Sequence, residues 1–200
     1  MNRSQITELY NIMLIANMPS VLKHGILSHN KIKDIPHESI AMPEIQERRQ
    51  LRFVPGGRPL HDYANLYFHA RNPMMYVRRN LHHSLCVLRI SPEVLDLPNV
   101  VISDRKASTD YVRFAAATGG LSMVNYDLVF ARDWNHENPI VKAEHKAVKC
   151  AEVLVPEKID PKFIMGCYVS GPEGSQLLIK LLSSPDQLGI ALKGDLFFNE

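Results

Sequence analysis

Short apolar runs and short helical stretches follow one another along this chain without a fixed rhythm, and that irregularity constrains its fold more than any other feature. A doubly wound parallel sheet needs strand and helix in alternation, because each parallel strand is reached by a crossover. Here residues 10–15 read as a strand leading into a helix over 18–23. Met18, Val21 and Leu22 recur there at helical spacing, and Gly25 supplies the cap. Pro43 opens a helical turn over 44–50, and Asn72-Pro73 is an N-cap and first-turn pair for a helix through Arg79. Residues 85–90 form a β run, Ser91-Pro92 starts a short helix, and 100–103 is extended again. The stretch 104–121 has no clean period and reads as loop with one helical segment, and 140–149 as helix or ordered loop. Residues 164–169, 177–182 and 190–198 read as strand, helix and strand. Strands that come in clusters predict an α+β fold with short flanking helices.

With 46% apolar residues, the 200 positions suffice for one compact domain over 1–200. A formal net charge of +2 is too small to announce a nucleic-acid binder, so charge distribution has to decide that question. Cys86, Cys150 and Cys167 are odd in number and lack CxxC spacing, and no HExxH occurs; neither a disulfide framework nor a metal site is expected. The expectation is three reduced, buried thiols. No run approaches the length of a membrane span and no signal-peptide pattern opens the chain, so a cytoplasmic protein, monomeric and without membrane contact, is expected.

One side chain stands out chemically. Glu152 lies in the apolar run Cys150-Ala151-Glu152-Val153-Leu154-Val155. A carboxylate there points either into water from an edge strand or inward, where desolvation is costly unless the charge is used. Glu152 is therefore the leading catalytic candidate. About a hundred positions earlier, Gln46-Glu47-Arg48-Arg49 carries two guanidinium groups that helical geometry points in different directions, so one of them is a solvated surface charge.

The block Val54-Pro55-Gly56-Gly57-Arg58-Pro59-Leu60-His61-Asp62-Tyr63, continued by Asn65-Leu66-Tyr67-Phe68-His69-Ala70-Arg71-Asn72-Pro73-Met74-Met75-Tyr76, completes a pattern. With Arg48-Arg49 before it and the Glu152 strand after it, this order resembles the DarT family of DNA ADP-ribosyltransferases, toxins of bacterial toxin–antitoxin pairs. The resemblance runs from about Tyr10 to the last strand. It implies an ADP-ribosyltransferase-like split β-sheet core, NAD as co-substrate, no metal, single-stranded DNA as acceptor and a macrodomain antitoxin as partner.

On this resemblance Glu152 and Arg49 are the catalytic positions, the first steadying the oxocarbenium-like centre formed as nicotinamide leaves. Arg49 serves either the pyrophosphate and ribose or the target base. Asn11, Met13, Asn17, Arg49, Tyr67 and Arg71 are implied around NAD, with Tyr67 offering an aromatic face to nicotinamide. Asn17 caps the first helix as readily as it meets cofactor. Many relatives begin their first strand Tyr-His-Ile-Thr-His, where this chain has Tyr10-Asn11-Ile12-Met13-Leu14. Asn11 keeps hydrogen bonding to a ribose hydroxyl but loses the histidine ring, which marks a divergent branch. The loop before the glutamate selects substrate in such enzymes. Lys142, Lys146 and Lys149 are read as phosphate contacts there, with Arg48 and Arg52 as a second patch; a solvated helical face is the alternative. Two other functions stay open: transfer to RNA or protein, and an inert NAD- or nucleic-acid-binding module.

Overall fold

The computed structural model describes residues 1–182 and 188–199. In chain order the strands and α-helices are β1 Leu9–Leu14, α1 Met18–His24, β2 Ile26–Leu27, α2 Pro43–Gln50, β3 Tyr63–Tyr67, α3 Pro73–Arg78, β4 Leu85–Ile90, β5 Val101–Ser103, β6 Phe114–Ala116, α4 Ala117–Gly120, α5 Tyr126–Phe130, α6 Pro139–Val148, β7 Glu152–Pro156, β8 Lys158–Ile159, β9 Ile164–Val169, α7 Pro172–Leu181 and β10 Ile190–Leu192. The large sheet has the order β10-β9-β4-β1-β3-β7-β5-β6, and β2 pairs with β8 in a separate ribbon.

This mixed α+β sheet is split near its middle. β1 pairs with β4 along six positions and β3 with β7 along five, yet β1 meets β3 only at Tyr10↔Tyr67. Beyond that bridge the strands separate, and the Asn11 amide spans the gap by donating to the Asn65 carbonyl at 3.2 Å. The two halves are thus four-stranded units joined at one point, with backbone left free to border a cleft.

The strand period sorts the side chains. Leu9, Met13, Leu66, Val153 and Val155 enter the main core with α1 and α7 residues such as Met18, Val21 and Leu178. Tyr10, Ile12, Leu85 and Val87 turn to the opposite face, joining Met75 and Phe197 in a second cluster. Leu154 enters a third, with Val54, Leu60 and Ala107. A cavity at the split takes Ile12 and Tyr67 from the second cluster and Met13, Val21 and Ile26 from the main core.

Local chemistry explains the elements. Asn72 caps α3 by accepting from Met75 N, and Asn138 caps α6 by accepting from Ile140 N and Val141 N, each with Pro at the first helical position. Gly25 ends α1 at φ 86°, where an added Cβ would collide with the Ile159 carbonyl oxygen. β6 lies inside the stretch read as loop: Phe114–Ala116 is too short to show a period but completes the ladder with β5. The final strand stops at Leu192 and not at Phe198, because the chain turns through Gly194–Phe197 to bury Leu196 and Phe197 against Met75. α3 ends at Arg78, one residue early, and passes into a 3-10 turn.

Candidate active site

α2 has no apolar stripe to bury. Its single buried residue is Arg49, while Glu44 in the first turn and Arg48 and Arg49 in the last complement the helix dipole. The helix carries a guanidinium to the split in the sheet. There Arg49 Nη1 donates to both oxygens of Glu152, at 3.2 and 2.9 Å. Arg49 is 8% exposed and Glu152 1%. Ala107 N donates to Glu152 Oε1 at 2.8 Å, and the Glu152 amide donates to Ser103 Oγ at 3.2 Å. The guanidinium and the backbone donor fix the orientation of this carboxylate at a site almost closed to solvent, where its field acts strongly.

Ala107 is held in turn. The buried Asp104 carboxylate accepts from Arg113 N and Nε and from Arg105, and Lys106 N donates to the Ala147 carbonyl. Those bonds keep the Asp104 carboxyl below its usual range despite the opposing effect of burial.

Glu152 opens onto a cavity of about 510 Å³, within the range of small-ligand sites. Tyr67, its register partner on β3, forms one wall, and burial together with the Glu152 charge pushes the phenol up. Tyr67 and Phe68 part company as adjacent strand residues must, Phe68 going to the main core. Asn11 and Met13 line the floor, and residues 37–42 form a strap along one side. Asn17 holds that strap through two bonds to Glu38, Nδ2 donating to its carbonyl at 2.8 Å and Oδ1 accepting from its amide at 3.0 Å. Arg78 Nε donates to the Ile40 carbonyl at 2.8 Å.

His29 borders the cavity and stacks on His61 with centroids 4.1 Å apart; His61 Nε2 lies 3.1 Å from Gln46 Oε1. Burial, then the charges of His29 and Arg49, lowers His61 to about 4. Both imidazoles are neutral spacers, in keeping with a site-shaping part for His61.

Two expected contacts are corrected. Lys149 is not on a DNA face: it is 0% exposed, and its Nζ donates to the carbonyls of Val129, at 3.0 Å, and Ala131. Burial lowers it to about 8. Arg71 does not line the cavity; its guanidinium donates to the Arg132 and Asp195 carbonyls and lies over Phe198. Asn17 makes no helix cap, its amide being spent on the strap. Lys146 is exposed at the cavity mouth, Lys142 is half-buried on α6, Arg48 is exposed, and Arg52 pairs with Asp110 at 2.7 Å. The cysteines are free and buried as expected, and Cys150, beside the cavity, is pushed up to about 12 and kept unreactive.

Sequence reasoning missed two cavity cations, Arg78 and Lys106. Arg78 was traceable, since it follows Met74 by four positions on one face of α3. Lys106 sits in an aperiodic stretch and gave no signal. No group of three or more metal-ligating side chains exists among the described residues, and no helix there is long and apolar enough to cross a membrane.

A family model described as "ssDNA thymidine ADP-ribosyltransferase, DarT" matches residues 10–198. A DNA ADP-ribosyl transferase–DNA ADP-ribosyl glycohydrolase fusion protein of Thermosipho africanus is 29% identical over 182 residues, covering 88% of this chain and 46% of that protein. This chain therefore spans less than half of that relative's length. Among solved structures, Thermus sp. 2.9 DarT in complex with ADP-ribosylated ssDNA superposes with TM-score 0.83 at 26% identity, over 96% of this chain and 97% of that one. Thermosipho africanus DarTG in complex with ADP-ribose gives TM-score 0.81 at 26% identity, over 97% and 52% of the two chains.

Proposed function

This chain belongs to the DarT family, and from that premise we propose that it transfers ADP-ribose from NAD to the thymine base of single-stranded DNA, residues 1–200 forming one transferase unit. The observation that carries the reading is the Glu152 carboxylate, buried at the split in the sheet and held by Arg49 and the Ala107 amide against a cavity walled by Tyr67. Glu152 steadies positive charge at the ribose as the nicotinamide bond breaks, and a ring nitrogen of the base takes nicotinamide's place at the anomeric carbon, its N–H proton being released to solvent. Tyr67 gives the departing ring a flat apolar wall. Arg78 and Lys106 supply the positive charge a pyrophosphate needs, the Lys106 ammonium making no hydrogen bond or ion pair among the described residues.

No histidine stands at position 11. Asn11, already bonded to Asn65, offers its carbonyl oxygen to a ribose hydroxyl. A single strand is the economical acceptor, because a duplex charges a few kcal/mol for each base withdrawn from the stack. The toxin role and an antidote that removes ADP-ribose from DNA belong to the same proposal, supported by the Thermosipho fusion of the two activities. Protein incubated with NAD and matched single-stranded oligonucleotides with and without thymine, then analysed by mass spectrometry, tests it. The expected product is the thymine-containing strand heavier by one ADP-ribosyl group; unmodified strands beside modified RNA or protein would overturn it.

A further inference from the structure

Beside the active-site cavity lies a second cleft of about 920 Å³, walled by the end of α2, by the segment joining β5 to β6, and by α6. Thr109, Ala143 and Ala147 line both spaces, so the cleft opens onto the cavity mouth.

Its lining is unlike an ordinary surface furrow. Tyr111 is 84% exposed and makes no hydrogen bond or ring contact among the described residues. A flat ring held out in a groove is a stacking platform. Ser108 is only 4% exposed, yet its Oγ has no hydrogen-bond partner among the described residues. A buried hydroxyl facing a cleft without a partner is a polar group kept for a ligand. Arg48, on the α2 wall, makes no ion pair among the described residues, whereas Arg52 is paired with Asp110 and Arg105 reaches Glu144 at 3.6 Å. Two carboxylates at the rim are wrong for a continuous phosphate track. One free cation, one free hydroxyl and one free aromatic ring match a single nucleotide.

We infer that this cleft holds a nucleotide flanking the target base, its base stacked on Tyr111 and hydrogen-bonded at its edge to Ser108 Oγ, its phosphate met by Arg48. The inference rests on the transferase reading above and gives that reaction a second subsite. It also gives the segment joining β5 to β6, whose Ala107 amide holds Glu152, a physical means of choosing a sequence, since Ser108 and Tyr111 both belong to that segment.

The test is an abasic scan. A single-stranded oligonucleotide with one thymine and single abasic sites on either side is assayed for kcat/KM with wild type, Tyr111→Ala, Tyr111→Trp and Ser108→Ala, with NAD affinity of each measured by calorimetry. Tyr111→Ala should lower kcat/KM roughly ten- to a hundredfold through the KM for DNA, the usual effect of losing one stacked base. Tyr111→Trp should recover most of it, and NAD affinity should hold. An abasic site at one flanking position should cost wild type a similar factor and cost Tyr111→Ala nothing more. Ser108→Ala should change the preference among bases at that position. A Tyr111→Ala penalty that is absent, or equally large on every abasic strand, overturns the subsite while leaving the transferase reading intact. Failure of wild type to modify any strand overturns both.

Discussion

Tyr67 and Glu152 are register partners across β3 and β7, and Tyr67 is also the residue through which β3 makes its single bridge to β1, at Tyr10. The aromatic wall and the carboxylate are therefore fixed by the same backbone point at which the sheet divides. Antiparallel partners place their side chains on one face a few ångströms apart. The spacing of these two side chains is built into the ladder and asks nothing of a mobile loop.

Glu152→Gln should keep the fold, because the amide oxygen still accepts from Arg49 and the Ala107 amide. Transfer should fall by about a hundredfold or more, the typical loss when charge stabilisation of a transition state is removed. Circular dichroism and single-turnover transfer on the same samples check both halves. Near-wild-type transfer would remove Glu152 from the chemistry.

Arg49→Ala should be far more damaging than Arg48→Ala. Arg49 is enclosed with Glu152, whereas Arg48 is exposed. Removing one partner of a buried pair strands the other, at a cost of about 3–5 kcal/mol. Arg49→Ala should thus lower the urea midpoint as well as abolish transfer, while Arg48→Ala should keep the midpoint and weaken only the use of DNA. Equal shifts in midpoint for the two variants would contradict this arrangement.

Stability should decline in mild acid. Burial lowers both His61 and His69 to about 4 from the usual 6.5. A histidine whose folded value lies below its unfolded one stays neutral in the fold while the unfolded chain takes up a proton. Its contribution is complete above 6.5 and is lost as pH falls from there towards 4. His69, packed against Phe130 with a buried Nδ1 that has no partner among the described residues, is the better reporter. Thermal melts across that window should slope less for His69→Phe than for wild type, and parallel slopes would refute the assignment.

How much of this was legible in the sequence depends on how each residue is held. Glu152 was legible because a charge in an apolar run that points inward is costly to desolvate unless it is used. Arg49 could be told from Arg48 only as one of a pair facing different ways. The split was invisible to periodicity and reached only through the family resemblance, since it consists of hydrogen bonds that β1 and β3 do not make, and absent bonds leave no period. The Ala107 amide was equally invisible, because backbone donors carry no side-chain signature. Arg71 and Lys149 were misread for a shared reason: long cationic side chains satisfy carbonyls inside a fold as well as they meet phosphates, and spacing does not separate the two uses.

Lys149 supplies the sharpest contrast with its neighbour on α6. Lys146 is exposed at the cavity mouth, while Lys149 is enclosed and spends its ammonium on the Val129 and Ala131 carbonyls, anchoring the segment after α5. Lys146→Ala should flatten the salt dependence of single-stranded DNA binding by roughly 0.7 in log–log slope if it meets one phosphate. Lys149→Met should leave that slope unchanged and show itself in stability instead. Burial holds Lys149 at about 8, below the usual 10.5, so between those values the unfolded chain binds the extra proton. Wild type should therefore gain stability relative to Lys149→Met as pH rises from about 8 towards 10.5, and no such gain is expected below 8. Binding isotherms over a salt series and denaturant melts over that pH range separate the two lysines. A reduced salt slope in Lys149→Met, with no pH-dependent difference in stability, would return this residue to the DNA surface.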